Sequence, residues 1–185
     1  GTAVERQTDY QYSATDQKLN ETLYDGADSI ITQYFYDSMD NLIKITDPLG
    51  NSTEYLDFTN EGNSRQIKDA LGRISLYQYD DNNNIVSVTD ALGNQVFYEF
   101  DAADNRSALV NAQQKRFEFV YDVHGNLIQA TDPNNNEVTS QYDFEKRLLR
   151  KVDAAGHEER REYDAYGRLT RVTDASGNEM IYEYD

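Results

Sequence analysis

The chain has 185 residues, enough for one ordinary domain or a short array of repeats. Its 34 acidic and 17 basic side chains give a formal net charge of −17, which argues against nonspecific nucleic-acid binding because phosphates need Lys and Arg partners. It has no cysteine, which excludes disulfides and thiolate metal or redox sites, and no apolar run of the roughly 20 residues that a membrane helix needs. Fifteen tyrosines argue against a disordered chain.

An aromatic residue recurs along the chain at a nearly constant interval. The first steps are 24 and 22 residues, and every later step is 21 residues. The series is Tyr12, Tyr36, Phe58, Tyr79, Phe100, Tyr121, Tyr142, Tyr163 and Tyr184. A fixed period of this length indicates a tandem repeat. We therefore predict a single repeat array over residues 1–185, with a degenerate repeat at about 1–33 and clear repeats at 34–185.

Two further positions keep the same phase as the aromatic series. The first is acidic in six of seven copies: Asp47, Asp69, Asp90, Asn111, Asp132, Asp153 and Asp174. The second lies three residues later and is mostly glycine: Gly50, Gly72, Gly93, Gln114, Asn135, Gly156 and Gly177. Because repeat arrays mostly preserve their own interfaces, we predict structural roles for these positions and for the aromatic series.

The segment before each marker aromatic alternates in polarity, as in Val96, Tyr98 and Phe100, which indicates a strand with one packed face. The fourth position after the aromatic is typical of a left-handed turn residue in most copies: Asp40, Gly62, Asn83, Asp104, Gly125, Lys146 and Gly167. Lys146 is the exception, and it predicts either strain or a different turn. A second strand follows and ends in a turn of the form Asp-Pro/Ala-x-Gly.

Each period thus contains strand, turn, strand and turn, with no helical pattern. Connections this short make consecutive strands antiparallel neighbours. The predicted fold class is all-β, a continuous antiparallel β-meander strip built from the 21-residue repeats. A flat sheet of this many strands is unusual because strand twist accumulates, so we expect the strip to curve or spiral.

The marker residues leave alternative roles open. The tyrosines are predicted to stack on their equivalents in neighbouring hairpins as a ladder, and the alternative is an aromatic platform for sugars or bases. The aspartates are predicted to cap turns, and the alternative is a calcium-stabilised array. The same choice applies to the cluster Asp80–Asn84, where we favour a plain turn.

Catalysis finds little support in the sequence. The two histidines, His124 and His157, lie in or beside predicted turns, and no hydrolase, P-loop or dinucleotide motif is present. We therefore predict that the chain is not an enzyme and that it binds no cofactor or metal.

The repeat unit YDAYGRLTRVTDASGNEMIYEYD, with its neighbours YDVHGNLIQATDPNNN and YDSMDNLIKITDPLGN, resembles the YD repeat of the RHS family. The resemblance covers about residues 30–185. Departures are local: Phe58-Thr59 replaces Tyr-Asp, Asn111 replaces Asp, and the turn over residues 111–115 has no glycine.

The resemblance implies a β-strip that spirals into a hollow shell. In bacterial RHS proteins and insecticidal toxin complexes such a shell encloses a C-terminal toxic domain, and in teneurins a related shell supports adhesion outside the cell. We therefore expect a fragment of the shell wall of a secreted or cell-surface bacterial toxin, whose partners are the rest of the shell and the enclosed domain. Its open edge strands could also pair with another molecule.

The alternative function is a cell-surface recognition module that binds carbohydrate or a protein ligand through exposed aromatics. An aromatic cluster that breaks the repeat, such as Phe97 beside Tyr98, would favour this alternative.

Overall fold

The computed structural model describes residues 7–25 and 28–185 and forms two compact units, residues 1–95 and 96–185. Residues 1–6 and 26–27, which belong to the predicted degenerate repeat, lie outside the described part. The regular elements of the described residues are all strands. The first unit contains β1 (Gln7–Tyr12), β2 (Lys18–Asp25), β3 (Asp28–Tyr36), β4 (Leu42–Thr46), β5 (Ser52–Phe58), β6 (Ser64–Lys68), β7 (Ile74–Tyr79) and β8 (Ile85–Thr89). The second contains β9 (Gln95–Phe100, from the boundary), β10 (Arg106–Val110), β11 (Arg116–Tyr121), β12 (Leu127–Thr131), β13 (Glu137–Tyr142), β14 (Leu148–Val152), β15 (Glu158–Tyr163), β16 (Leu169–Thr173) and β17 (Glu179–Ile181).

Within each unit every strand pairs antiparallel with the strand that follows it in the chain. In the first unit these pairs run from β1–β2 to β7–β8. In the second they run from β9–β10 to β16–β17. The predicted all-β antiparallel meander is therefore confirmed.

The turns lie where the repeat predicts them and share one backbone pattern. In the turn after β8, the N–H of Gly93 donates to the carbonyl of Asp90 at 3.0 Å, and the N–H of Asp90 donates to the carbonyl of Asn94 at 2.9 Å. Gly93 has φ +85°, so the turn is a type I turn closed by a left-handed bulge residue. The same pair of backbone bonds recurs in fifteen turns of the described chain.

Lys146 adopts the same turn as the glycines, with φ +64°, so a different turn at this position is ruled out. Gln114 does the same with φ +60° in the turn over residues 111–115. A left-handed backbone costs a non-glycine residue about 1–2 kcal/mol. Closure of the hairpin by its neighbouring strands therefore overrides the local preference at both positions.

The single 22-residue step between Tyr36 and Phe58 has a local cause. Strand β5 has seven residues where the equivalent strands have six, and Asp57 within it has φ +52°. In the register, Leu56 faces Gln66 and Phe58 faces Ser64, which places Asp57 opposite Arg65, and the two side chains form an ion pair at 3.5 Å. The one-residue register shift that other hairpins show before the marker tyrosine, as between Gln78 and Tyr79, is therefore absent here, and the next repeat resumes in phase.

Each unit is a single layer of sheet. Residues that face each other across neighbouring strands share a side of the sheet, so Tyr98, Leu109 and Phe117 lie on one side and Glu99, Ala108 and Glu118 on the other. We call the first side the tyrosine face and the second the charged face. Within the described residues only Ala108 and Ser87 are buried. Stability must therefore come from strand pairing, turns and contacts between neighbouring side chains on each face.

The backbone strain at Gln114 gives a first prediction. We expect Gln114→Gly to stabilise the chain by up to about 1 kcal/mol, because glycine removes the left-handed penalty. Gln113→Gly, one position earlier in the same turn, is the matched control and should destabilise slightly through the added flexibility. Thermal unfolding followed by circular dichroism measures both. Equal effects of the two variants would contradict the assignment of strain to Gln114.

Candidate functional site

The repeated feature with the most specific geometry is a carboxylate inside most of the turns. In the turn after β8, Oδ1 of Asp90 accepts the backbone N–H groups of Leu92 and Asn94, both at 2.9 Å. Its Oδ2 accepts the side-chain Nδ2 of Asn94 at 2.8 Å. One side chain thereby satisfies two backbone donors and also fixes the residue that directly precedes the next strand. We call this arrangement the turn clamp.

The turn clamp with its side-chain bond recurs twelve times in the described chain. The first residue is an aspartate, and the residue four positions later is Asn, Arg or His. The pairs are Asp37–Asn41, Asp47–Asn51, Asp69–Arg73, Asp80–Asn84, Asp90–Asn94, Asp101–Asn105, Asp122–Asn126, Asp132–Asn136, Asp143–Arg147, Asp153–His157, Asp164–Arg168 and Asp174–Asn178. In three divergent turns Ser13, Thr59 or Asn111 accepts the two backbone bonds instead.

Sequence reasoning placed one aspartate in each turn as a cap, and the structure shows that the aspartate after a marker tyrosine, such as Asp80 or Asp164, holds its turn as the marker aspartates do. The closing residue four positions later was not identified. Its restriction to Asn and Arg after most marker tyrosines is a signal that the sequence contains.

The hydrogen bonds of the turn clamps also favour the ionised form of each carboxylate. Hydrogen bonds from the side-chain amide of Asn51, together with backbone N–H groups, lower the pKa of Asp47. The amides of Asn94 and Asn136 lower the pKa of Asp90 and of Asp132 in the same way. These aspartates therefore act as hydrogen-bond acceptors within their own turns.

Marker tyrosines connect neighbouring strands through their hydroxyl groups. The hydroxyl of Tyr163 donates to the carbonyl of Leu148 at 3.0 Å, and Leu148 is the first residue of the preceding strand β14. The hydroxyl groups of Tyr79 and Tyr184 likewise donate to the carbonyl of the residue 15 positions earlier, Ser64 at 2.9 Å and Leu169 at 2.8 Å. Tyr36, in the first clear repeat, donates to the carbonyl of Lys18 in the degenerate repeat at 3.1 Å. Each ring thus covers the preceding strand while its hydroxyl is satisfied.

The predicted ladder of stacked tyrosine rings is wrong for the described residues. The ring pairs in contact there are Tyr10–Tyr12 and His124–Phe144, and neither joins successive marker rings. Equivalent rings lie two strands apart, about 9.6 Å, whereas ring contacts need centroids within about 7 Å. Guanidinium groups lie over two of the marker rings instead.

Two such groups belong to residues that close turn clamps. The guanidinium of Arg147 lies 5.0 Å from the ring centre of Tyr163, and that of Arg168 lies 4.5 Å from the ring centre of Tyr184. The same arginines bind Asp143 and Asp164. Turn clamp and tyrosine face are therefore joined through one side chain.

The charged face of the second unit carries ion pairs that run across strands. Arg116 binds Glu99 on one side at 2.6 Å and Glu118 at 2.8 Å. Glu158 accepts hydrogen bonds from Arg150 and Arg160, which lower its pKa to about 2. Exposed pairs of this kind contribute little individually, so they set the polarity of the face more than its stability.

The residues considered for metal binding or catalysis are parts of turns. His124 lies within the Asp122–Asn126 turn, and Nδ1 of His157 lies 3.0 Å from Oδ2 of Asp153 within its turn clamp. In the cluster at Asp80, Oδ1 accepts the N–H groups of Asn82 and Asn84, as in other turns. Over residues 7–25 and 28–185 no three His, Asp or Glu side chains converge as metal ligands, and no helix has the length and hydropathy of a membrane span.

The repeat matches the sequence profile of a known family. The sequence profile of the RHS repeat matches residues 61–95, 79–116, 121–158, 145–179 and 163–185, which together make up more than half of the chain. The chain therefore belongs to the RHS repeat family. No protein of curated function matches the chain in sequence.

Solved structures with the same fold come from Tc toxins. The TcdB2–TccC3–Cdc42 complex has a TM-score of 0.69 at 14% identity over 91% of this chain. TcdB2–TccC3 without its hypervariable C-terminal region gives the same TM-score, identity and coverage. The Photorhabdus luminescens Tc holotoxin pore has a TM-score of 0.50 at 14% identity over 98% of this chain. The chain spans 10% of the length of the first two matched chains and 14% of the third.

Tyr163 provides a test of the tyrosine contacts. We expect Tyr163→Phe to destabilise the chain by about 1 kcal/mol, because the carbonyl of Leu148 loses its donor while the ring contacts remain. Tyr166→Phe is the matched control, since that side chain is 86% exposed, and it should change stability by less than about 0.5 kcal/mol. Chemical denaturation of both variants measures the difference. A neutral Tyr163→Phe would show that the hydroxyl bond does not stabilise the fold.

The turn clamps predict a loss of stability in acid. A carboxylate whose pKa is lower in the folded chain stabilises the fold above its unfolded pKa of about 3.9, and this contribution is lost as the pH falls through the folded value. Protonation also relieves the repulsion of a −17 chain, so the measurement belongs at about 0.5 M NaCl, where that repulsion is screened. We expect the melting temperature to be flat between pH 7 and 5 and to fall by several degrees or more below pH 4. A constant melting temperature down to pH 2.5 would contradict a stabilising role for the turn clamps.

Proposed function

We propose that the chain is a non-catalytic wall segment of a hollow β-shell that encloses a toxin or effector domain. The observation that carries the proposal is the RHS repeat itself, in a fold similar to TcdB2–TccC3. One of the similar structures is of TcdB2–TccC3 without its hypervariable C-terminal region. A variable C-terminal region beside a constant repeat array is what a container with exchangeable contents would show.

The architecture of each unit suits a wall. A single layer of sheet has two open faces, and the described residues supply almost no buried core. Each turn is held by its own clamp, and each strand depends on its immediate neighbours. The stability contributed by each repeat is then nearly independent of the number of repeats, so a wall of this kind can be extended without redesigning a core.

We infer structural roles for the marker positions within this wall. The marker aspartates hold turns, the marker glycines supply left-handed backbone, and the marker tyrosines cover the preceding strand. The contacts described above support each role. None of these residues then needs to touch a substrate.

The proposed location and partners follow from the same function. A container for a toxin would act in a secreted or cell-surface bacterial protein, and its partners would be the remaining shell and the enclosed domain. The charged face and the tyrosine face offer that domain two surfaces of different polarity.

The main argument for the carbohydrate-binding alternative, a joint aromatic cluster of Phe97 and Tyr98, does not hold. Phe97 faces Val110 on the charged face, whereas Tyr98 faces Leu109 on the tyrosine face. The two rings therefore lie on opposite sides of the sheet and form no joint platform. Phe97 is 37% exposed, but it stands on the charged face without Tyr98.

Protease protection in the full natural polypeptide tests encapsulation. A specific protease site is inserted into the variable region that follows the repeats, and the same site is inserted between Ala154 and Ala155, at an exposed turn tip. We expect the turn site to be cut at least a hundredfold faster than the enclosed site, and mild denaturant to abolish the difference. Equal cleavage of both sites in the native protein would contradict the proposal.

A further inference from the structure

One position of the tyrosine face carries a ring in most repeats and a short side chain in one. This position lies two residues before the marker aromatic, and its rings are Tyr10, Tyr34, Tyr77, Tyr98, Phe119 and Tyr182. In β5, whose additional residue shifts the position by one, the ring is Tyr55. The two departures are Ser140 and Arg161. Arg161 is long enough to cover its own strand, and its guanidinium pairs with Glu159 at 2.7 Å, so the position is vacant only at Ser140.

Ser140 lies on the same side of the sheet as its ring-bearing equivalents. Phe119 pairs with Ala130, and Ala130 pairs with Val138, two residues before Ser140 on β13. Alternate residues of a strand share a side, so Ser140 takes the place on β13 that Phe119 takes on β11. The repeat therefore defines the shape that is missing here, which is that of one aromatic ring.

A groove of about 570 Å³ lies at this vacant position. Its lining includes Ile128 of β12, Leu149 of β14, and Ser140 and Tyr142 of the strand between them, with Asp122 from the turn after β11. The groove opens to solvent, and its volume is within the range of small-ligand sites. We call it the Ser140 groove.

Two hydroxyl groups in the Ser140 groove are available to a ligand. Within residues 7–25 and 28–185, neither Oγ of Ser140 nor the hydroxyl of Tyr142 has a hydrogen-bond partner. The hydroxyls of Tyr163 and Tyr184, in contrast, donate to backbone carbonyls. The carboxylate of Asp122 is already engaged, since it accepts hydrogen bonds within its own turn. The free polar groups of the groove are therefore neutral hydroxyls, each able to donate and to accept.

The surroundings favour an aromatic ring over an aliphatic chain. The guanidinium of Arg106 lies 5.7 Å from the ring centre of Tyr98 and 5.5 Å from that of Phe119, so rings on this face lie beside a cation. Lys151 pairs opposite Ser140 and lies on the same side of the sheet. A ring in the groove would thus have an ammonium group beside it. A hydroxyl on that ring would also find partners in the two free hydroxyls, which makes the ring a phenol.

A polypeptide is the best source of this phenol. The equivalent rings reach the tyrosine face as side chains of extended chain. A free phenol has few atoms with which to offset its loss of freedom on binding, whereas a ring on a bound polypeptide is held nearby at high effective concentration. The single-layer sheet leaves its face open to such a segment.

We propose that the Ser140 groove binds the tyrosine side chain of a partner polypeptide that crosses the tyrosine face. For one tyrosine residue without further contacts, we expect a Kd on the order of 1 mM. The site is formed by residues of this chain alone. It therefore does not depend on whether the shell encloses a domain.

Titration of the ¹⁵N-labelled chain with N-acetyl-L-tyrosinamide tests the proposal. We expect saturable shifts of backbone amide signals centred on Ile128, Ser140 and Leu149. N-acetyl-L-leucinamide should bind at least tenfold more weakly, because it has neither a ring nor a hydroxyl. Free p-cresol should bind no more tightly than the tyrosine compound. Tighter binding of p-cresol would assign the groove to small phenols and overturn the polypeptide source.

Variants of the groove separate filling of the space from loss of the hydroxyls. Ser140→Tyr restores the ring of the repeat and should weaken binding at least tenfold. Thr131→Tyr adds the same ring on the charged face and is the matched control, with unchanged affinity. Ser140→Ala combined with Tyr142→Phe keeps the space. It should reduce the preference for N-acetyl-L-tyrosinamide over N-acetyl-L-phenylalaninamide by a factor of about two to ten.

Melting temperatures close to that of the parent chain show that the variants fold. Unchanged affinity in Ser140→Tyr would overturn the proposal, because the ligand would then bind elsewhere. Equal affinities for the tyrosine and leucine compounds would overturn the aromatic specificity. The absence of saturable binding by the parent chain up to about 20 mM ligand would overturn the site itself.

Discussion

The backbone hydrogen bonds of neighbouring strands are the constraint on which this structure depends. A sheet one layer thick has no core to hold its strands, so each strand is fixed only by the strands beside it and by the turns at its ends. The turn clamp meets this requirement locally, because one carboxylate satisfies two backbone donors and a side chain within five residues. The hydroxyl bond from a marker tyrosine to the preceding strand adds a contact outside the ladder of backbone bonds. All other features, including the open faces, follow from this arrangement.

The fold could be predicted from the sequence because the repeat reports the same strand and turn many times. Aromatic residues at a fixed phase located the strands, and Gly, Asn or Asp at a fixed offset located most of the left-handed residues. Lys146 was left open between strain and a different turn, because lysine does not favour a left-handed backbone, and the structure shows the common turn there. The ladder of stacked rings was wrong because a period in sequence was taken as a contact in space. The sheet places equivalent residues two strands apart, and Arg147 and Arg168 lie over the rings instead.

The turn clamps were predicted only in part, and the reason is instructive. The aspartates were recognised as turn caps because one falls in each turn of the repeat, but their side-chain partners were not recognised. The partner four residues later became visible only with the side-chain geometry, because Asn, Arg and His donate to the same oxygen with different groups. The bonded atom is conserved across repeats while the residue type varies.

The additional residue at Asp57 has a consequence for how such arrays can change. Strand β5 accommodates it opposite Arg65, and the strand pairs that follow keep the alignment of the other repeats. Length variation is therefore confined to the hairpin in which it arises, and distant repeats are insulated from it. Insertions of single codons, which would disrupt a closely packed globular core, can be tolerated here. Long arrays can therefore accumulate such insertions without losing their continuity.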